Sequence, residues 1–292
     1  MASSPRIDLH AHSTVSDGTD SPAELVAAAS AAGVDVLAIT DHDTTAGWDA
    51  AAAELPAGLR LLRGAEFSCV SPTGRGDRDV SVHLLGYLFD PDHEAIVAEQ
   101  ARLRTERRHR LHRIAEKMAA DGYPVDPDGL LALLPDGTSA GRPHLARALV
   151  TAGVVESVDE AFATLLYNGS PYYVAKADTP VETAIRMLRA AGGVPVFAHP
   201  FARRRGRVVE PSVIVELATA GLAGVEVDHP DHSPEDRGLL RGLAADLGLL
   251  TTGSSDYHGT NKTTPLAAES TTAATLDALL AQAGGAELLV GH

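Results

Sequence analysis

The 292-residue sequence predicts an α/β fold: a closed or nearly closed barrel of βα units that carries a helical insertion. Three observations support this class. Short apolar runs typical of buried strands alternate with alanine-rich helical segments in the first and last thirds of the chain. The stretch between them has helical periodicity and no strand-like run. Histidine and acidic residues follow several of the strand-like runs, where a parallel barrel gathers them on one face.

The N-terminal third begins with alternating strands and helices. Ser21 is a typical helix cap, and Pro22 suits the first helical position, so we expect a helix from there to about Gly33. A second helix is predicted over residues 44–54. The run VDVLAIT has the continuous apolar character of a buried strand. The predicted strands are residues 6–9, 34–40, 60–62 and 82–87.

The middle of the chain is predicted to be a helical insertion over residues 95–175, flanked by barrel segments 1–94 and 176–292. Its first helix spans 95–120, and two more follow at 143–152 and 158–166. The long helix has an apolar face at helical spacing. Its polar face is basic, with Arg102, Arg104, Arg107, Arg108, Arg110 and Arg113. Such a face could guide a short RNA strand, but pairing with Glu99, Glu106 or the acidic barrel is the more usual role.

The βα rhythm resumes in the last third of the chain. Helices are expected at residues 179–191, 211–220 and 233–247. They alternate with strands at 194–198, 224–227 and 250–253. Repeated βα units of this kind favour a parallel sheet that curves into a barrel.

Composition narrows the class of function. The formal net charge of −15 disfavours binding to duplex nucleic acid, which needs many Lys and Arg contacts to phosphate. Cys69 is the single cysteine, so neither an intrachain disulfide nor a cysteine-based zinc site is expected. No apolar run is long enough to cross a bilayer, and residues 1–10 lack the plan of a secretory signal. We therefore expect a cytoplasmic protein, a monomer or small homo-oligomer.

Candidate metal ligands recur at the ends of the predicted strands. His10 and His12 have the two-residue spacing that places both side chains on one face of a strand, although an isolated pair is more often a surface feature. Glu66 could bridge two ions, and Asp41 could orient a neighbouring ligand from outside the metal shell. Alone, each residue has a structural explanation; their joint placement favours a site for several metal ions. The candidates are His10, His12, Asp17, His42, Glu66, His83, His199, Asp256 and His258.

The same residues resemble a known family, the PHP (polymerase and histidinol phosphatase) domain. The matching motifs, in family order, are HAH (10–12), TDH (40–42), GAE (64–66), HLLGY (83–87), AHP (198–200) and GSSDYHG (253–259). The helical block with GRPHLARAL (141–149) resembles a subgroup of nucleoside 3′,5′-bisphosphate phosphatases, some of which are also 5′-to-3′ exoribonucleases.

The resemblance implies a distorted (β/α)7 barrel with three divalent metal ions, commonly Mn²⁺, while this ligand chemistry would also accept Fe²⁺ or Zn²⁺. It assigns the ligands to three positions. The first has His10, His12, Glu66 and Asp256; the second Glu66, His83 and His199; the third Asp17, His42 and His258. The implied activity is metal-dependent phosphoesterase chemistry, in which activated water attacks a phosphate in line.

Several further residues are expected to contact a small phosphorylated substrate. Arg142 and His144 lie at a predicted helix start, where backbone N–H groups favour an anion, and we expect them to bind a phosphate distant from the metals. Lys176 is a weaker candidate for that role. His232 or His229 is expected to orient the substrate or protonate the leaving group, although both are equally typical of loop histidines.

Three other functions remain open from the sequence. One is a phosphatase for histidinol phosphate or another small phosphomonoester. Another is a non-catalytic metal-binding module, which the complete ligand set disfavours. The third is a metal-dependent amide hydrolase, although no strand-end lysine is present to form the carboxylated bridge common in that class.

Overall fold

A computed structural model describes residues 4–76 and 78–292 and contains nine strands and ten α-helices in that part of the chain. The strands are β1 Ile7–Asp8, β2 Val36–Ile39, β3 Arg60–Ser71, β4 Val80–Tyr87, β5 Thr179–Pro180, β6 Val194–Ala198, β7 Gly224–Asp228, β8 Leu250–Gly253 and β9 Leu289–Val290. The helices are α1 Pro22–Ala31, α2 Trp48–Ala53, α3 Glu94–Ala120, α4 Pro127–Ala132, α5 Arg142–Thr151, α6 Val158–Thr164, α7 Val181–Ala190, α8 Pro211–Thr219, α9 Pro234–Leu247 and α10 Ala273–Leu280.

Seven strands in the order β1-β2-β3-β4-β6-β7-β8 form a nearly closed barrel. The loops after β1 and β8 connect its two ends, because His12 N donates to Tyr257 O at 2.9 Å and Tyr257 N donates to His10 O at 3.3 Å. Two short strands, β5 and β9, pair with β3 outside this path. The expected α/β barrel of seven strands is therefore confirmed.

The barrel is not parallel throughout, which corrects the expectation from the βα rhythm. β3 and β4 form an antiparallel pair, with Glu66 opposite Leu85, and β4 is also antiparallel to β6. The segment that joins β3 to β4 is too short for a crossover helix and contains Pro72, Gly74 and Gly76. Glu66 consequently lies inside a 12-residue strand rather than after a three-residue one.

The N-terminal helix begins as predicted. Ser21 and Glu24 form a capping box: Ser21 Oγ accepts from Glu24 N at 3.2 Å, and Ser21 N donates to Glu24 Oε2 at 2.8 Å. The second helix is shorter than expected and begins at Trp48 instead of residue 44. Asp43 has a φ of 52°, which breaks regular backbone geometry just before the predicted start.

The helices predicted at residues 95–120, 143–152 and 158–166 are present as α3, α5 and α6. One further helix, α4, was not predicted from the periodicity. Leu111, Ile114 and Met118 of α3 pack against Leu145 and Leu149 of α5 in an apolar cluster separate from the barrel core.

The basic face of α3 is only partly solvated. Arg102 pairs with Glu99, as expected, whereas Arg107 is buried and bonds to Asp43 of the barrel. No helix in residues 4–76 or 78–292 is both long and apolar enough to span a membrane.

Candidate metal centre and active site

The nine candidate ligands meet at one end of the barrel. Each lies within or directly after a barrel strand, or in the loop that follows it, so the fold brings together residues up to 248 positions apart in the chain, from His10 to His258. Their ligand atoms form four overlapping groups. These are His12–Asp17–His42–His258, His10–His12–Asp256, His10–Glu66–His199 and His42–Glu66–His83. Eight of the nine are buried, and His83 is half-buried at the cavity wall.

Glu66 lies at the centre of the cluster. Its carboxylate presents one oxygen to each side, as a bridging ligand must. Oε1 is 2.7 Å from His83 Nδ1 and 3.1 Å from His199 Nε2. Oε2 is 3.2 Å from His10 Nε2, 3.1 Å from His12 Nε2 and 3.1 Å from His42 Nδ1. A single carboxylate thus contacts imidazoles from five different positions of the chain.

Two aspartates complete the cluster on either side of Glu66. Asp17 Oδ1 is 3.3 Å from His258 Nε2, and its Oδ2 is 3.6 Å from His42 Nε2. Asp256 Oδ1 lies 3.5 Å from Nε2 of both His10 and His12. Asp17 therefore lies beside His42 and His258, and Asp256 lies beside His10 and His12.

The protonation of the cluster suits cation binding. Burial lowers the pKa of His199 to about 3 and that of His258 to about 4, so both imidazoles are neutral and keep a lone pair for a metal. His42 Nδ1 is buried 3.1 Å from Glu66 Oε2 but makes no hydrogen bond of good geometry to any described residue. Imidazole nitrogens together with carboxylate oxygens fit Mn²⁺, Fe²⁺ or Zn²⁺. The residues present therefore fit a group of divalent ions.

His10 has the opposite protonation tendency. Burial disfavours its charged form, but the nearby carboxylates of Glu66, Glu226 and Asp256 outweigh this effect and raise its pKa well above the ordinary value. A proton on this ring offsets part of the negative charge that metal ions would otherwise neutralise. Metal binding must therefore displace such protons.

A second layer of buried acids holds the ligands in place. Glu226 accepts from His10 Nδ1 at 3.1 Å and from His199 N at 2.8 Å, so it orients two ligands on different strands. Asp41 accepts from Ser13 N at 2.8 Å and Ser16 Oγ at 2.6 Å, and so shapes the loop after His12. Sequence reasoning did not identify Glu226, whose only signal was an acid in the middle of the apolar strand GVEVD.

A cavity of about 900 Å³ extends from the metal ligands to the helical block. His42, Glu66 and His199 line one end, whereas α3, α5 and the segment after α6 line the other. The basic residues that line it are Arg107, Arg110, Arg142, Lys176, Arg204, Arg205, Arg207 and Lys262. Arg205 Nη2 and Lys262 Nζ both bond to Asp256 Oδ2, at 2.5 and 2.7 Å. The sequence did not single out either of these two cations.

Of the residues predicted to contact substrate, Arg142 and Lys176 line the cavity. Arg142 Nη1 donates to Leu166 O at 2.7 Å and to Asn168 Oδ1 at 3.0 Å, and its guanidinium lies over the Phe162 ring. Lys176 Nζ is 2.9 Å from Asp178 Oδ1. Both cations are therefore fixed by protein contacts yet face the cavity.

The three remaining predicted residues lie behind the cavity wall. His144 Nδ1 accepts from Gly141 N at 3.1 Å, and burial lowers its pKa to about 4. His232 donates from Nδ1 to Val227 O at 2.9 Å and accepts from Phe201 N at 3.2 Å. His229 Nε2 is buried 3.4 Å from Asp256 Oδ2. None of the three is among the residues that line the cavity.

Several known proteins are similar to this chain in sequence and structure. A profile of the PHP domain matches residues 8–124. A 5′-3′ exoribonuclease of Haemophilus influenzae is 36% identical over 87% of this chain and 90% of its own length. A 3′,5′-nucleoside bisphosphate phosphatase of Chromobacterium violaceum is 34% identical over 86% of this chain and 87% of its own.

A crystal structure from Bifidobacterium adolescentis, assigned as a metal-dependent phosphoesterase, superposes with a TM-score of 0.88. It is 37% identical and covers 97% of this chain and 98% of its own. The ligand cluster, the barrel and these relatives together make the protein a metal-dependent phosphoesterase. The chain belongs to the PHP domain family.

Proposed function

We propose that the protein hydrolyses phosphate from nucleoside 3′,5′-bisphosphates, and that the 5′ ends of short RNA are a second substrate. The observation that carries this proposal is one cavity whose lining includes both members of the nine-residue ligand cluster and basic residues of the helical block. A substrate with two phosphates can place one at each end. We expect it to act in the cytoplasm, as a monomer or small homo-oligomer, on small substrates and not on duplex nucleic acid.

We propose that three divalent ions occupy the cluster, and we expect the metal to be Mn²⁺. His10, His12, Glu66 and Asp256 would hold the first, Glu66, His83 and His199 the second, and Asp17, His42 and His258 the third. When bound, such ions polarise the phosphate and lower the pKa of water to roughly 7, which supplies a nucleophile at neutral pH.

The chain's own residues would bind and orient the substrate. Arg142 and Lys176 are placed to receive the phosphate that is not hydrolysed, because both face the cavity and both are already held by protein contacts. Preorganised cations of this kind lose little entropy on binding. His144 would support Arg142 by fixing the helix start through Gly141.

His229 and His232 were candidates to orient the substrate or protonate the leaving group, but both lie behind Asp256 and neither lines the cavity, which favours an orienting role. The ring of His232 is locked by backbone atoms on both sides and packs against His229, with ring centres 5.6 Å apart. His229 Nε2 is directed towards Asp256. We therefore propose that His232 orients His229 and that His229 holds Asp256 from behind the cavity wall.

The cavity size favours short RNA as the second candidate substrate. Its volume of about 900 Å³ lies near the upper end of the range for small-molecule sites, roughly 300–1,000 Å³. A small phosphomonoester such as histidinol phosphate would leave most of it unfilled. The alternative that the protein is a non-catalytic metal-binding module is tested by the same experiment that identifies the substrate class.

The test is a phosphate-release screen of purified protein with added Mn²⁺ against nucleoside bisphosphates, monophosphates, histidinol phosphate and short oligoribonucleotides. We expect the highest kcat/KM on bisphosphates and no release by a His10→Ala, His12→Ala double variant. A preference for histidinol phosphate would reject the proposed substrate, and activity that survives the double variant would reject the proposed site.

Arg142→Ala tests the second-phosphate role separately. We expect kcat/KM for a bisphosphate to fall on the order of 10–100-fold, since a charge-assisted contact contributes about 1.5–3 kcal/mol. The value for a monophosphate should change little. Equal losses on both substrates would show that Arg142 does not read the second phosphate.

A further inference from the structure

The residue that follows the metal ligand His42 is held by the helical block. Asp43 is buried and has a left-handed backbone conformation, with a φ of 52°. Its Oδ1 accepts from Ser68 N at 2.7 Å, and its Oδ2 accepts from Ser68 Oγ at 2.7 Å and from Arg107 Nε. A non-glycine residue in this conformation depends on such contacts to remain there.

Arg107 reaches this aspartate from the middle of α3 and is itself 8% exposed. Its Nη2 donates to Ser68 Oγ at 2.7 Å, and its Nη1 donates to Ala140 O at 3.4 Å. One turn earlier, Arg104 Nη1 donates to Asp43 O at 3.0 Å. A buried ion pair contributes little net stability, but it favours one docking position of the helical block. Removal of either partner leaves the other charge buried without a counter-charge.

The contacts continue from Asp43 to the metal centre. Asp43 N donates to Glu66 O at 3.0 Å, and His42 itself is bridged to Glu66 in the sheet. The helical block also contacts the loop that carries Asp17, since Ser139 N donates to Val15 O at 2.9 Å. Two of the three ligands in the group Asp17–His42–His258 therefore lie on loops that the block touches.

We propose that Arg107 and Asp43 are positioning residues that couple docking of the helical block to metal binding by Asp17, His42 and His258. The inference rests on the proposed centre of three metal ions. It adds that the metal affinity of one position depends on a contact made by residues outside the ligand set. Among the ligands of the other two positions, Glu66 alone lies on a strand that Arg107 contacts, through Ser68, and that strand is also held by its pairing with β4. Loss of the guanidinium would leave the Asp43 carboxylate buried and unpaired, and the backbone that presents His42 would shift.

Arg107→Met tests the coupling. Arg108→Met is the matched control on the same helix, because Arg108 Nη2 donates to Leu131 O of the helical block and makes no hydrogen bond to the barrel in the described part of the chain. Metal content after desalting is measured by plasma mass spectrometry, and the positions by anomalous diffraction from Mn²⁺. We expect wild type and Arg108→Met to hold three ions and Arg107→Met to hold two. Affinity at the third position should fall about 10–100-fold, so that high Mn²⁺ refills it.

Three ions bound with wild-type affinity by Arg107→Met would overturn the proposal. So would an equal loss from all three positions, which would indicate a general structural defect. If Arg107→Met does not fold, Ser68→Ala is the second variant, because it removes one contact from Arg107 and one from Asp43. We expect it to lower the metal affinity of the third position by a smaller factor. Unchanged affinity at that position would also reject the coupling. Wild-type protein that binds no metal would instead refute the metal centre itself, so the two failures are distinguishable.

Discussion

Lys176 shows how burial tunes a single charge on the cavity wall. Burial, with Arg107 nearby, lowers its pKa from 10.5 to about 8, despite the opposing effect of Asp178. The ammonium is therefore present at neutral pH and is lost as the pH rises through about 8. Because a neutral amine binds phosphate weakly, the KM for a bisphosphate should increase above that pH. The measurement is KM between pH 6.5 and 9.5.

Two substitutions separate this effect from other titrations. Lys176→Arg keeps its charge throughout the range and should show a flat KM, whereas Lys176→Met should show a high KM at every pH. The KM for a monophosphate that does not reach Lys176 serves as the internal control. If wild type and Lys176→Met have the same pH profile, Lys176 is not a phosphate ligand.

Glu66 is the residue on which the whole cluster depends, since it contacts five imidazoles through two oxygens. In Glu66→Gln one bridging oxygen becomes an amide nitrogen that cannot bind a cation. We expect at least two ions to be lost and kcat to fall by at least about 100-fold, which corresponds to several kcal/mol of transition-state stabilisation. Metal analysis and single-turnover kinetics measure both quantities.

The control for Glu66→Gln is Glu54→Gln, which removes an exposed carboxylate at the end of α2. This variant should retain both metal and activity. A Glu66→Gln protein with its full metal content would show that Glu66 does not bridge the ions.

The sequence identified the nine clustered residues because their types and strand-end positions are local properties that motifs preserve. It could not identify Arg205 and Lys262, whose contact with Asp256 depends on how loops from different parts of the chain meet. Nor could it separate Arg142, which faces the cavity, from His144, which faces away. The direction of a side chain at a helix start is set by packing that periodicity does not encode.

At the scale of elements, a glycine allows the backbones of two segments to approach closely where a side chain would not fit. A Cβ on Gly285 would lie 2.3 Å from both Ala191 O and Asp90 N, whereas a Cβ on the adjacent Gly284 would meet nothing within 4 Å. Gly285→Ala should therefore force a backbone shift and lower the free energy of unfolding by about 1–3 kcal/mol. Gly284→Ala should change it by less than about 0.5 kcal/mol. Urea denaturation of the two variants measures the difference.

Equal stabilities of the two glycine variants would contradict the close approach of the segment after α10 to the segments that follow β4 and α7. The pair is well matched, because neither glycine has a positive φ and both lie between α10 and β9. Any difference therefore reflects contact with Ala191 and Asp90, not backbone preference.

Elements with strong periodicity were predicted closely, whereas strand direction was not. The long helix α3 and the strands β6 and β8 have the expected bounds to within a residue. The strand β4 was predicted at residues 82–87, but its antiparallel direction was missed. Apolar alternation is the same in either direction, and only the short β3–β4 connection indicates which direction the strand takes. The burial of Arg107 was missed for a related reason: the charge pattern of a helix does not reveal which arginine meets a buried acid.

At the scale of the whole molecule, the metal centre is expected to contribute to stability. The chain has 39 acidic and 24 basic residues, and several of the acids, including Asp17, Glu66 and Asp256, are buried in one cluster. Without cations these carboxylates repel one another in a region of low dielectric constant. Ions that bind only the folded state stabilise it by about 2.7 kcal/mol at 100 times the Kd for each site.

Removal of metal should therefore lower the melting temperature by several degrees, given about 2–4 °C per kcal/mol for chains of roughly this size. Scanning calorimetry of wild type with Mn²⁺ and after dialysis against EDTA measures the shift. The His10→Ala, His12→Ala double variant is the control, and EDTA should lower its melting temperature by less than it lowers that of wild type, because the first position is already lost without the chelator. An equal shift in the two proteins would place the stabilising ions elsewhere in the molecule. A wild-type protein insensitive to EDTA would show that the acids of this cluster are neutralised by protons and by Arg205 and Lys262 alone.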